Sequence, residues 1–336
     1  MAPQSCRDRY RDVVVVDEID RTLIHALEVD GRAPFSRIGE VLGLSDQTVA
    51  RRYRRLRAES IARVAGQTAP WRVGQVRWYL RVRVEPSVAV SVANALARRP
   101  RTYWVKLNSG GTEITCVIQS ASADEQDNLL LQQLPRTPRV IDVTAHSVLN
   151  VFFDVDGVHP SLLNALTPDQ VAALRPAPPP PLSTTDEVVR LDDADNRMLT
   201  ILEQDGRAGF AELAKATGWS ESTVRRRLDF LRDCGALYFD VDMDAAALGF
   251  GCVTQMWLSV SPAEIHRIGE TLASHQESAF VAALTGTANI GATVVCRDVP
   301  AFYRYLTTKV ASLKGIRQIE TAPVIRTVKR GATMVT

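Results

Sequence analysis

Nothing in this 336-residue chain approaches the roughly 20 consecutive apolar residues that a membrane span requires, so no transmembrane segment is expected. The N-terminal stretch MAPQSCRDRYRD has no apolar run after its charges, which speaks against a signal peptide and for a cytoplasmic protein. Cysteine is sparse: Cys6, Cys116, Cys234, Cys252 and Cys296 are odd in number, scattered and never in a C-x-x-C pair. That usage fits thiols kept reduced and buried as small hydrophobes. The five histidines fall at no metal-ligand spacing. No metal, cofactor or catalytic residue is therefore expected. Charge of one sign is lacking as well, with 40 basic against 38 acidic residues and a net charge of +2. Basicity is local instead: residues 51–57 read RRYRRLR, five arginines in seven positions without an acid.

What the chain does have is a repeat. Shifting residues 17–57 by 175 positions lays Asp20 on Asp195 and Asp30-Gly31-Arg32-Ala33 on Asp205-Gly206-Arg207-Ala208. The same shift lays Gly43 on Gly218, Ser45 on Ser220, Thr48-Val49 on Thr223-Val224 and Arg51-Arg52 on Arg226-Arg227. The structural unit is thus half the chain.

Each copy opens on a helix with apolar residues at helical spacing, such as Ile19, Leu23, Ala26 and Leu27, closed by an Asp-Gly turn. A second short helix ends at Gly43 or Gly218, where positive φ is cheap. Ser45 and Ser220 stand at the N-cap of a third helix. In it Val49, Tyr53 and Leu56, or Val224, Leu228 and Leu231, turn to the core. After each trihelical unit the period changes to alternation, in the order β-α-β-β-α-β. The strands are expected over 76–84, 103–107, 113–119 and 140–153, then over 252–260, 279–284, 289–296 and 316–328. The fold class is α+β: a tandem repeat of a winged or trihelical helix-turn-helix domain and a ferredoxin-like domain. Domains are placed at 17–66, 74–154, 191–240 and 248–330, with an extension over 1–16. Residues 155–190 form a spacer, with a helix starting at Thr167-Pro168 and a proline run over 176–181.

A basic third helix in such a unit suits the major groove of double-stranded DNA. Candidate DNA-binding residues are Ser45, Gln47, Thr48, Arg51, Arg52 and Arg55 in copy one, and Ser220, Ser222, Thr223, Arg226 and Arg227 in copy two. Copy two carries Glu221, Asp229 and Asp233 in that helix and Phe230 in place of Arg55, so its hold on phosphate should be weaker.

These motifs, followed by β-α-β-β-α-β, resemble the leucine-responsive/asparagine regulator (Lrp/AsnC) family over nearly the whole chain, twice. The resemblance implies two fused subunits of a transcriptional regulator. It also implies self-association through the ferredoxin-like domains, here pairing within one chain sheet against sheet, and a small-molecule effector such as an amino acid. The family's Gly-x-x-Asp turn corresponds to Gly110–Glu113 and Gly286–Asn289, making Gly110, Glu113, Gly286 and Asn289 candidate effector residues. Both copies lack the Asp, and the glycines equally serve a tight hairpin. Two other classes stay open. One is an enzyme, because siroheme decarboxylases are similar in architecture and sometimes fused in tandem, although no His-x-Tyr-x-Arg segment stands in the strand regions. The other is a co-regulator that binds its own kind without touching DNA.

Overall fold

The computed structural model describes residues 16–120, 127–152, 161–176 and 188–335. Residues 1–15 of the N-terminal extension, residues 121–126 and the proline run beyond residue 176 lie outside them. The first trihelical unit comprises α1 (Glu18–Val29), α2 (Phe35–Leu42) and α3 (Asp46–Ala58), followed by β1 (Ala62–Thr68). Asp17 and Asp20 close a reciprocal capping box at the start of α1, at 2.8 and 3.2 Å. Then come β2 (Val76–Val84), α4 (Ala89–Arg98), β3 (Thr102–Asn108), β4 (Glu113–Ser120), a π-helical turn Asn128–Gln133 and β5 (Val140–Val151).

The spacer contributes α5 (Pro168–Leu174), with Thr167 and Gln170 forming its capping box. The second half repeats the order with α6 (Asp193–Gln204), α7 (Phe210–Thr217), α8 (Glu221–Asp233) and β6 (Leu237–Met243). It continues through β7 (Cys252–Val260), α9 (Ile265–Ala273), β8 (Ser278–Leu284), β9 (Ile290–Cys296), α10 (Val299–Tyr305, running on to Val310) and β10 (Ile316–Thr327).

The two halves are related by a pseudo-twofold axis that can be read from strand register. β1 pairs antiparallel with β6 so that Ala62 faces Met243 and Ala65 faces Asp240. Ala65 and Asp240 are also equivalents under the 175-residue shift, so the axis passes between them. The ferredoxin-like domains meet sheet against sheet as expected, with Tyr79, Tyr103 and Val117 of one inner face packed on Trp257, Ala282 and Leu284 of the other. Their edges join, giving a closed eight-stranded barrel in the order β10-β3-β4-β2-β5-β8-β9-β7. One seam pairs Val148 with Leu284 and Val151 with Ala282, and the other pairs Val324 with Asn108 and Thr327 with Lys106. A shift of 176 carries one seam onto the other. β5 and β10 are each 12 residues long, enough to pair within their own sheet and across to the other, and the barrel leaves no unpaired edge for another chain to template.

The repeated Asp-Gly-Arg-Ala segment, read from sequence as a turn, is the clamp between the trihelical units. Arg32 donates to the carbonyls of Gly206 (2.6 Å) and Ala208 (3.2 Å), and Arg207 donates to those of Gly31 (2.7 Å) and Ala33 (2.8 Å). Arg207 also lies 4.1 Å over the ring of Phe35. Burial, followed by repulsion from Arg207, lowers the Arg32 guanidinium to about 10. At the same interface Arg57 reaches Asp205 (2.5 Å) and Arg232 reaches Asp30 (3.7 Å). Gly31 and Gly206 allow close approach, since a Cβ at either would fall within 2.8 Å of Val64. Arg32→Ala or Arg207→Ala should each cost about 1.5–3 kcal/mol, the worth of hydrogen bonds to a charged donor. Urea unfolding of the full chain measures this, and unchanged midpoints in both variants would show that the clamp does not hold the units together.

Candidate nucleic-acid interface

Local chemistry sets the third helix of each unit. Gly43 takes φ 67° and Gly218 φ 80°, ending the preceding helix in the left-handed region. Ser45 accepts from the Thr48 backbone N–H and Ser220 from that of Thr223, each at 3.2 Å. Both hydroxyls also bond to neighbouring side chains, Thr48 in copy one and Ser222 and Thr223 in copy two. The serines that begin these helices are therefore occupied in capping them. Val49, Tyr53 and Leu56 are buried in the core of the first unit, and Val224, Leu228 and Leu231 in that of the second.

Successive helical residues turn by about 100°, so the direction opposite that core is occupied by positions 47, 51, 54 and 58. Gln47, Arg51 and Arg54 are exposed there in copy one, and Ser222, Arg226 and Asp229 in copy two. Thr48 and Thr223 are half-buried beside their caps.

Arg52 and Arg55 do not share this outer face. Arg52 donates to Asp17 (2.8 Å) and Asp20 (2.9 Å), and Arg55 pairs with Asp20, whose side chain is 0% exposed. Arg227 likewise holds the buried Asp195 at 2.6 Å and adds a bond to the carbonyl of Arg190. Hydrogen bonding to the aspartates raises the Arg52 and Arg227 guanidiniums above their usual value. These arginines tie the third helix to the first, and the expectation that they point at DNA is corrected accordingly. Arg54, absent from the candidates, belongs on the outer face, and angular position along the helix was the signal that could have found it. In copy two Phe230 is 47% exposed and, with Trp219, Thr223, Arg226, Arg227 and Asp192, lines an open pocket of about 460 Å³.

The effector candidates are bound within the chain itself. Gly110 (φ 72°) and Gly286 (φ 105°) make their turns in the left-handed region. Glu113 is buried and accepts from Arg81 at 2.5 Å, while Arg81 also grips Glu320 and lies 3.8 Å over the Trp257 ring. Asn289 exchanges two 2.9 Å bonds with the backbone of Val260, bridging β7 to the turn before β9. Both side chains are thereby committed to holding strands.

Residues 16–57 and 191–232 match the AsnC-type helix-turn-helix domain, and residues 255–334 match the Lrp/AsnC ligand binding domain. An HTH-type transcriptional regulator of Pyrococcus abyssi, itself described as uncharacterised, is 30% identical over 143 residues, which span 42% of this chain and 90% of that protein. The HTH-type transcriptional regulator LrpA of Pyrococcus horikoshii is 27% identical over 143 residues, spanning 41% of this chain and 99% of its own. Such relatives thus correspond to one half of the chain. The crystal structure of the siroheme decarboxylase NirDL covers 94% of this chain and 93% of that one with a TM-score of 0.61, at 14% identity. That likeness shows a shared tandem fold.

The two arginine sets separate experimentally. Arg52→Ala leaves the buried Asp20 short of a partner and should cost about 1–3 kcal/mol, whereas Arg51→Ala on the outer face should stay within about 0.5 kcal/mol of wild type. Equal unfolding midpoints for the two variants would contradict this division.

Proposed function

The chain belongs to the Lrp/AsnC family, and on that premise we propose that it is a sequence-specific DNA-binding transcriptional regulator responsive to a small metabolite, an amino acid or a relative of one. The observation that carries the DNA-reading half is the exposed face of α3. Gln47, Arg51 and Arg54 stand together opposite the core with no acidic residue between them, on a helix capped and ion-paired from behind. Arginine forks suit guanine edges and phosphate oxygens, and glutamine suits adenine.

The Arg57–Asp205 and Arg232–Asp30 pairs tie the last turn of each third helix to the opposite unit. The two readers therefore sit at a fixed relation, as two half-sites on one duplex require. They are unequal, because Arg54 has Asp229 as its counterpart and Arg55 has Phe230. Unit one supplies most of the phosphate affinity, and unit two supplies orientation and a weaker contact. Self-association beyond one chain would use the barrel domains, where Leu149 and Ile325 lie exposed at equivalent positions of β5 and β10. The shared fold with NirDL supports a tetrapyrrole enzyme only at the level of architecture, and the exposed arginine face favours the regulator.

The experiment is a salt titration of binding to a duplex selected by the protein from genomic fragments. Each lost phosphate contact should lower the slope of log affinity against log salt by about 0.9. Arg51→Ala with Arg54→Ala should remove about two such contacts, and Arg226→Ala about one. Absence of salt-dependent DNA binding in the wild type, or a larger loss from Arg226→Ala, would refute this reading. Co-purified tetrapyrrole absorbance would favour the enzyme.

A further inference from the structure

Alternation along the strands divides the barrel residues into a face packed on the helices and a face turned into the lumen. On β2, Leu80, Val82 and Val84 pack with α4, which leaves Tyr79 and Arg81 inside. The same alternation turns Gln255 and Trp257 of β7 and Thr293 of β9 inward, while Met256, Leu258, Ala292 and Val294 pack with α9 and α10. Lys106 enters the lumen from β3 and meets Thr293 Oγ1 at 3.4 Å.

Lys106 sets the direction of its own bond to Thr293, since an ammonium can only donate. Thr293 accepts from it, and Thr293 and Tyr79 both donate to Gln255 Oε1, at 3.1 and 2.6 Å. In this arrangement Gln255 Nε2 lies on the other side of the amide, buried and without a partner. Trp257 Nε1 is in the same condition, and both residues are 1% exposed. Arg81 is neutralised by Glu113 and Glu320. Among the described residues no carboxylate lies within ion-pairing distance of Lys106. The lumen thus holds two unpartnered donors, the amide and the indole N–H, and an ammonium with hydrogens to spare and no counter-ion. Stranded buried donors cost free energy, and an acceptor carrying negative charge would satisfy them.

We infer that the barrel lumen is a binding site for a small organic carboxylate, held by Lys106, Gln255 Nε2 and Trp257 Nε1, with its apolar part against Tyr79, Tyr103 and Leu284. An eight-stranded barrel has an interior of the size that side chains fill or that one small ligand occupies, which limits the guest. Burial lowers the Lys106 ammonium to about 8, which keeps it a cation at neutral pH. The inference deepens the proposed reading, giving the effector a site in the lumen in place of the committed side chains of Glu113 and Asn289.

Calorimetric titration of the full chain without DNA tests it. The probes are 4-methyl-2-oxopentanoate and L-leucine, which share a carboxylate and an apolar tail and differ in the ammonium, with inorganic phosphate as the control anion. Saturable binding of either carboxylate, weakened at least about tenfold by Lys106→Met and by Gln255→Glu, is expected. Gln255→Glu would give Lys106 a counter-ion from within the chain. Ligand-free Lys106→Met should melt no lower than wild type, because it removes an unneutralised cation; a structural lysine would lower the Tm. No saturable binding by the wild type, binding unaffected by Lys106→Met, or equal binding of phosphate would overturn the assignment. None of these results bears on DNA reading, which the salt titration decides separately.

Discussion

Two arginines, each donating into the other's repeat, are the constraint on which the arrangement of this molecule depends. Arg32 and Arg207 occupy equivalent positions and satisfy carbonyls of the opposite Asp-Gly-Arg-Ala segment. Each segment is thereby both donor and acceptor, a self-complementary patch of the kind that two identical subunits form across a twofold axis. Here the patch is closed within one chain, and the β1–β6 ribbon extends it along the same axis. Because Asp30 and Asp205 in the same segments receive Arg232 and Arg57, the clamp reaches the ends of both third helices. The distance and angle between the two readers follow from that contact.

Within each reader the arginines divide into two jobs. Arg52 and Arg227 bury their charge against Asp20 and Asp195, which are themselves shared with the caps of the first helices. Removing a guanidinium from such a carboxylate strands a desolvated charge, so these pairs fix the tilt of the third helix whatever they contribute to net stability. Arg51, Arg54 and Arg226 stand in solvent with no ion-pair partner among the described residues, so their charge is left for a partner from outside the protein.

The trihelical units and the barrel strands were legible because their signals are local, whereas β1 and β6, the ribbon that joins the halves, were not among the expected strands. Ser45, Gly43 and the Val49, Tyr53, Leu56 stripe mark the start, the preceding stop and the inner face of α3 within a dozen residues, and strand alternation marks the sheets. What a periodic pattern does not carry is the identity of the partner. The Asp-Gly-Arg-Ala repeat satisfies a turn rule by itself, so nothing in it announced that Arg32 would cross to Gly206. The joining of β5 to β8 and of β10 to β3 was hidden for the same reason, since an apolar strand face reads alike whether its edge is free or paired. A basic helix reads as a nucleic-acid surface throughout unless each arginine is placed by angle and the acids of the neighbouring helix are counted. Asp20 and Asp195, aligned by the repeat, were the acids that would have claimed Arg52 and Arg227.

Fusion also permits what a symmetric pair of identical chains forbids. On or near a twofold axis a residue meets its own copy, so a buried arginine there would face another arginine. In this barrel Arg81 meets Trp257 and Tyr79 meets Gln255, and each pair consists of equivalents under the 176-residue shift. Cation meets ring and hydroxyl meets amide, with none of the like-charge repulsion that identity would impose. The equivalent of Lys106 is Ala282, so the lumen holds one ammonium in place of two. A single uncompensated cation in an enclosed polar cluster favours one anion in one orientation, so the two halves of this chain should present one effector site between them.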